Sequence, residues 1–442
     1  MPLVPWTALG TLYDRIALGH VRLVGWGAGG SFKTTYAACP LRLAYLVDSD
    51  PAKWGTRVWG IEVRPPAALA KEDPDTVAVM IYSAFLFGGE ILAAIDALGP
   101  YPALWPYVPH LAGQFVRALR EGIDPALTRK PAARSHAGIL VQGPVVEGVT
   151  ETILRYHASR NPTDHLVLST WEDTPPAQLE QAARWCDRVV LNRPPVPPGP
   201  QNRNLQLVST AAGLEALAAA GVDKALKTRT DTLAAAPALL ERGAALQAAH
   251  PVRFPGTANR LVISERFTFR YLPYTMSDIV MFGDVADLRA YWSAPLDTRS
   301  FSPYTPEWRA TSYRAFSQAR GTPEIHYLTS FCRRQGWEPD GTVRDHWTIL
   351  RDLFALMDER WFGLFFPKYG FDDLSRYGTG PTPAAVADRN LWDRLTAGTD
   401  DVWDEAGAVD IDATTFEAMV VPPGTWMMTE RHDPRLVKAS GL

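Results

Sequence analysis

The sequence predicts an α/β protein: an N-terminal Rossmann-like domain, then a second domain built on its own parallel or mostly parallel sheet. Two observations carry this reading. Short apolar runs alternate with helix-period segments in two separate series, the pattern of β–α–β units with helices on both faces of a sheet. A stretch at 100–134, proline-containing and then basic, divides the two series. A chain of 442 residues has room for two or three domains of roughly 100–200 residues each. With 46% hydrophobic and 21% charged residues it also has the apolar material to fill their cores. The expected boundaries are 1–100 for the first domain, 101–135 for a linker, 136–375 for the second domain, and 376–442 for a C-terminal extension packed on it.

In the first series, the apolar run 20–24 (HVRLV) feeds into Gly25-Trp26-Gly27-Ala28-Gly29-Gly30, which fits G-x-G-x-x-G at Gly25, Gly27 and Gly30. A second strand, 41–47, ends on Asp48, 23 residues after Gly25. Strand, glycine turn, helix, strand and acid is the order of a dinucleotide-binding unit. The glycines would let phosphate approach a helix N-terminus, and Asp48 would take ribose hydroxyls. A glycine turn packed closely against a helix needs no ligand, so that reading stays open. Strands at 58–63 and 77–82 and a helix at 90–98 complete the series, and a helix at 111–121 follows.

The second series runs strand 138–142, helix 151–157, strand 165–170, helix 176–185 and strand 188–192. After the proline loop RPPVPPGP come helix 204–219, strand 224–228 and helix 234–248. Ligands in such sheets sit at the carboxyl ends of strands. Polar clusters fall at those ends: Gln142-Gly143, Ser169-Thr170-Trp171-Glu172, Asn192, and Thr228-Arg229-Thr230-Asp231. If 226–231 is extended, its period of two puts Lys227, Arg229 and Asp231 on one side. Two cations and a carboxylate there suit a diphosphate with a divalent metal. The structural alternative is an Arg229–Asp231 ion pair at a strand end.

Composition excludes several classes. Forty-four Lys and Arg against 48 Asp and Glu give a net charge of −4, unlike a protein that neutralises nucleic-acid phosphates. The three cysteines lie far apart, without a C-x-x-C pair, against a Cys zinc site or a disulfide framework. The nine histidines form no H-E-x-x-H, and neither a G-x-S-x-G elbow nor a P-loop is present. The first fifteen residues lack the features of a secretory signal, and no run of eighteen apolar residues exists. A soluble, cytoplasmic protein is expected.

ILVQGPV at 139–145, Thr150 and Thr152, LVLSTW at 166–171, QNRNLQLVSTAAGL at 201–214, LKTRTD at 226–231 and SDIVMFGD at 277–284 resemble, in order, the WavE-type lipopolysaccharide-synthesis family. That family is similar to glycosyltransferases with a GT-A-like nucleotide-sugar fold, and the resemblance covers roughly 138–370. It implies transfer of a sugar from a nucleotide-sugar donor to a lipopolysaccharide- or capsule-type surface glycan. Donor contacts would come from Gln142, Gly143, Thr170, Trp171, Asn204, Gln206, Lys227 and Arg229. Asp231 stands where such enzymes have the last carboxylate of their D-x-D motif, and it would hold magnesium or manganese. Arg229 occupies the place of the first carboxylate, a departure that puts metal dependence in question.

Glycosyl transfer also needs a base for the acceptor hydroxyl in inverting enzymes, and Asp278 and Glu324 are the downstream candidates. Their structural alternatives are a turn residue and a helix N-terminal acid, respectively. The pattern VDSDPAKWGTRVWGIEV followed by RPPAAL resembles Rossmann-like accessory domains of sugar-nucleotide and surface-polysaccharide enzymes. The aromatic run 361–371, with Lys368, would either pack as core or touch acceptor sugars or a membrane surface. Expected partners are therefore a nucleotide sugar and a glycan or lipid-linked glycan, with peripheral membrane contact and no nucleic acid. Two rival readings remain: an NAD(P)-dependent oxidoreductase run by the N-terminal glycines, and a non-catalytic scaffold of polysaccharide assembly.

Overall fold

The structure is a computed structural model that describes residues 15–16, 18–38, 41–82, 88–104, 107–133, 135–299, 321–366 and 387–411. The N-terminal 1–14, the turn-rich 378–383 and Lys368 lie outside the described residues. The chain divides into two compact units. Among the described residues, the first is built on those up to Glu121 and the second on Gly122–Phe365 with 387–411. Within the expected linker, helix α3 (Tyr107–Gly122) falls almost wholly to the first unit.

The first unit holds β1 (Arg22–Trp26), β2 (Leu43–Val47), β3 (Arg57–Val58), β4 (Ile61–Arg64), β5 (Val77–Ile81) and β6 (Ala103–Leu104), with α1 (Gly30–Ala38) and α2 (Gly88–Leu98). Strand order is β3-β4-β2-β1-β5-β6, and β4, β2, β1, β5 and β6 are parallel. β1 lies between the strands that follow it and leaves toward both sides, the switch point of a doubly wound sheet. The five buried residues of β5 (VAVMI) show why the run is uniformly apolar: helices cover both faces of a parallel strand. The expected strand 58–63 is instead a hairpin of β3 and β4, turned by Trp59 and Gly60 at φ 51° and 82°.

The three motif glycines differ physically. Gly27 has φ 103°, a region costly to side chains, and a Cβ on Gly25 would lie 2.5 Å from Leu46 Cδ2. A Cβ on Gly30 meets nothing. Gly27→Ala is therefore expected to lower stability by about 1–3 kcal/mol, while Gly30→Ala leaves it unchanged or slightly raised. Denaturant melts of the full chain measure both; equal effects would refute the assignment.

The second unit carries a seven-stranded sheet in the order β14-β12-β13-β10-β7-β8-β9. Its parallel block is β10 (Lys224–Arg229), β7 (Ala137–Gln142), β8 (His165–Trp171) and β9 (Arg188–Asn192). β13 (Met281–Asp284) runs antiparallel to β10 and to β12 (Leu261–Ser264), which pairs in parallel with β14 (Phe354–Met357). The connecting helices are α4 (Thr150–Arg160), α5 (Pro176–Ala183), α6 (Arg203–Ala219), α7 (Leu239–Ala249), α8 (Val285–Tyr291), α9 (Pro323–Arg334) and α10 (Val343–Leu353). A short α11 (Glu359–Phe362), α12 (Arg389–Ala397) and α13 (Asp400–Ile411) follow.

The expected helix 234–248 begins five residues late. Leu233–Ala234 forms β11, paired with β15 (Leu364–Phe365), and Pro237 with Ala238 at φ 51° delays the first turn of α7. The described part of the aromatic run is core and pairing material: Phe362 and Phe366 are buried, and Trp361 is stacked by Arg242 at 4.5 Å. No helix among the described residues is long and apolar enough to cross a membrane.

Candidate active site

The antiparallel register pairs Lys227 of β10 with Met281 of β13. Asp278, three residues before Met281, therefore lies at the carboxyl end of β10, the side on which parallel sheets hold ligands. Lys227 is fully buried; its Nζ donates to the backbone carbonyl of Asp278 and lies 4.5 Å from the Trp292 ring centroid. Burial lowers its ammonium to about 7, against the pull of Asp278, Asp231 and Glu324 and with the repulsion of Arg229. Asp278 is itself buried. Glu324 follows Pro323 in the first turn of α9 and keeps part of its surface exposed. Burial of its carboxyl and the Asp278 charge push it up to about 7. Tyr291 and Tyr327 are driven well above the usual range by burial, and both feel Asp278 and Glu324. The three acids singled out in the sequence thus face one buried lysine across 98 residues of chain, between Lys227 and Glu324.

Asp231 is occupied. Arg229 Nε and Nη2 donate to its two carboxylate oxygens at 2.8 and 2.9 Å, and Thr232 Oγ1 donates to Oδ1 at 3.2 Å. The strand ends at Arg229, and the bond from Thr232 N–H to the Arg229 carbonyl turns the chain there. The extended 226–231 segment expected from the sequence is cut short by this turn. A carboxylate gripped at both oxygens by a guanidinium does not fit a metal ligand. No group of three or more His, Cys, Asp or Glu suited to a metal occurs among the described residues. Asp231→Asn is accordingly expected to cost about 1–3 kcal/mol of stability while leaving turnover near normal. Melting and turnover of the same variant check it, and a stable but inactive protein would restore the metal reading.

The expected donor contacts at strand ends are largely satisfied by one another. Gln142 accepts from Ser209 Oγ at 2.7 Å, Thr170 and Thr174 hydroxyls lie 3.3 Å apart, and Asn192 donates to Ser169 Oγ and the Thr170 carbonyl. Trp171 is buried, and Gly143, at φ 121°, sits where a Cβ would press on Thr230 Oγ1. Asn204 is a clamp: Nδ2 donates to the carbonyls of Pro197 and Asp297, and Oδ1 accepts from Asp297 N–H. Gln206 accepts from Tyr327 Oη at 3.3 Å, beside the acid pair. Polar residues at strand ends thus build the rim without all facing a ligand.

Sequence reasoning missed Arg203, Asp297, Tyr291, Trp292 and Tyr327. Arg203, fully buried, pairs with Asp297 at 2.9 Å and donates to the carbonyls of Pro200 and Gly321. Its neighbours in QNRNLQL drew attention instead. Tyr327 follows Glu324 by three residues and so shares its helix face, a signal that was readable.

In the first unit, Asp48 is turned inward. It accepts from the N–H groups of Ala28 and Asp50 at 2.8 and 2.9 Å and from Lys53 Nζ at 3.0 Å. Burial opposes its charge, but these donors outweigh burial and hold the carboxyl below its ordinary value. The acid read as a ribose ligand instead braces the glycine turn.

Residues 138–354 match the family model described as WavE lipopolysaccharide synthesis. No curated protein matches the chain. The match spans β8, β9, β10, β12 and β13, β7 except its first residue, and only the first residue of β14, together with Lys227, Asp278 and Glu324. Most of the second unit's sheet and its acid pair thus lie within the segment, residues 138–354, that matches the family model of WavE lipopolysaccharide synthesis.

Proposed function

We propose that the protein is a glycosyltransferase that moves a sugar from a nucleotide-sugar donor to a surface-glycan or lipid-linked glycan acceptor, with Glu324 as the base. The observation that carries this is the Asp278–Glu324 pair over buried Lys227, with Glu324 held near 7 where a base works best. Glu324 takes the proton of the acceptor hydroxyl as that oxygen attacks the anomeric carbon and the nucleoside diphosphate departs. Asp278, anchored at its carbonyl by Lys227, keeps Glu324 basic by repulsion.

A second reading, a transferase-like scaffold without turnover, is favoured only by the pairing of Asp231 with Arg229. Incubating the protein with UDP-, GDP-, CMP- and dTDP-sugars, with and without glycan acceptor, separates the two. Release of nucleoside diphosphate or monophosphate that depends on Glu324 supports transfer. Donor binding without release, by thermal shift, supports the scaffold.

A further inference from the structure

We propose that the second unit carries another ligand site: a pocket for a small oxyanion, of phosphate or carboxylate type, at the N-terminus of α7. The pocket has a volume of about 180 Å³ and lies where the last turn of α4 meets segment 236–241, walled by Ile139 and Leu226. Successive strand residues point to opposite faces, so Leu226 and Lys227 put this pocket and the acid pair on opposite sides of the sheet.

Three independent features meet there. Ala238, at φ 51°, gives α7 no side-chain cap, and its carbonyl takes the first helical bond from Arg242 N–H. The N–H groups of Leu239, Leu240 and Glu241 consequently have no acceptor among the described residues. Helix N-terminal amides with the positive end of the helix dipole form an anion cradle. His157, only 2% exposed, lines the same pocket, and its Nε2 has no hydrogen-bond partner. Burial keeps its ring neutral, with a pKa lowered to about 4, and in the tautomer protonated at Nε2 it offers an N–H donor without adding charge. Arg160, exposed on the lining, makes no ion pair among the described residues.

Glu241 is the single acidic residue of the lining. Its charge offsets that of Arg160, which makes the site weak and suits it to a small anion rather than a polyanion. Buried polar groups left without partners are uncommon in folded proteins, and an oxyanion would satisfy several of these at once.

The test uses the full chain labelled with ¹⁵N-leucine and titrated with inorganic phosphate, and separately with acetate, at constant ionic strength set by chloride. The Leu239 and Leu240 amides are expected to shift saturably, with phosphate and acetate telling the two oxyanion types apart. Arg160→Ala is expected to weaken binding about tenfold, and Glu241→Gln to tighten it. Both changes are on exposed side chains, so the fold survives them. Absence of a saturable shift in the unaltered protein, or identical binding by it and both variants, would overturn the proposal. Neither result depends on sugar transfer.

Discussion

Glu324→Gln is expected to lower sugar transfer by roughly 10²–10⁴-fold, the usual contribution of a positioned general base. The amide keeps the size of the carboxyl and loses only its ability to take a proton. Donor binding, read by thermal shift, should be little changed, because the base acts on the acceptor. In the unaltered enzyme the rate should rise with pH through about 7, where Glu324 ionises.

Stability moves the other way. The Glu324 carboxyl is raised from 4.5 to about 7, so between these values the folded state binds a proton that the unfolded state has released. Stability therefore falls as pH rises through that window, and Glu324→Gln removes this part of the fall. Asp278→Asn should relieve the repulsion and narrow that window from its upper end, since the unfolded value is unchanged. Denaturant melts across pH 4–8 follow it without any assay of activity. A Gln variant with normal transfer would sink the assignment of the base. An unchanged pH dependence of stability would sink the pairing with Asp278.

Arg203→Met carries the largest expected effect on folding, a loss of about 3–5 kcal/mol, because it strips a partner from a buried carboxylate. Asp297 also accepts from Arg299 at 2.8 and 2.6 Å. Burial raises its carboxyl, but the Arg299 hydrogen bonds and charge, with the Arg203 charge, outweigh burial and hold it well below the ordinary carboxylate range. A depressed carboxylate stabilises the fold above its unfolded pKa of about 4 and loses that contribution as pH falls. The stability difference between Arg203→Met and the unaltered protein should therefore shrink on acidification. Replacing both partners, Arg203→Met with Asp297→Leu, should recover part of the loss, since apolar groups leave no buried charge behind. Additive single-variant losses in that double-mutant cycle would show that the two side chains do not act as a pair.

Local chemistry made much of this protein legible from its residues. Apolar runs of strand length and turn residues at their ends marked β5, β7, β8, β9 and β10 to within a residue and β1 and β2 to within two, β1 running on through Gly25 and Trp26, since those signals depend only on neighbours in the chain. The ordered blocks from ILVQGPV to SDIVMFGD carried the family resemblance; Asp231 stood out in its strand-end cluster, and Asp278 and Glu324 as acids suited to the transfer that the resemblance implies. What the chain order could not reveal was distance. β11 exists because it pairs with β15, 130 residues away from Ala234 to Leu364, and no local pattern encodes that partner. Asp48 and Asp231 look like free ligands in one dimension, yet each is held in the fold by donors: Ala28 from the distant glycine turn with the local Asp50 and Lys53 for one, and the local Arg229 and Thr232 for the other. Lys227, Asp278 and Glu324 reverse that lesson. They belong to a strand, a strand approach and a helix, and only the antiparallel entry of β13 beside β10, with α9 packed on α8, sets the three charges against each other. Burial and mutual repulsion, which tune Glu324 toward neutrality, are properties of that assembly and of no residue within it.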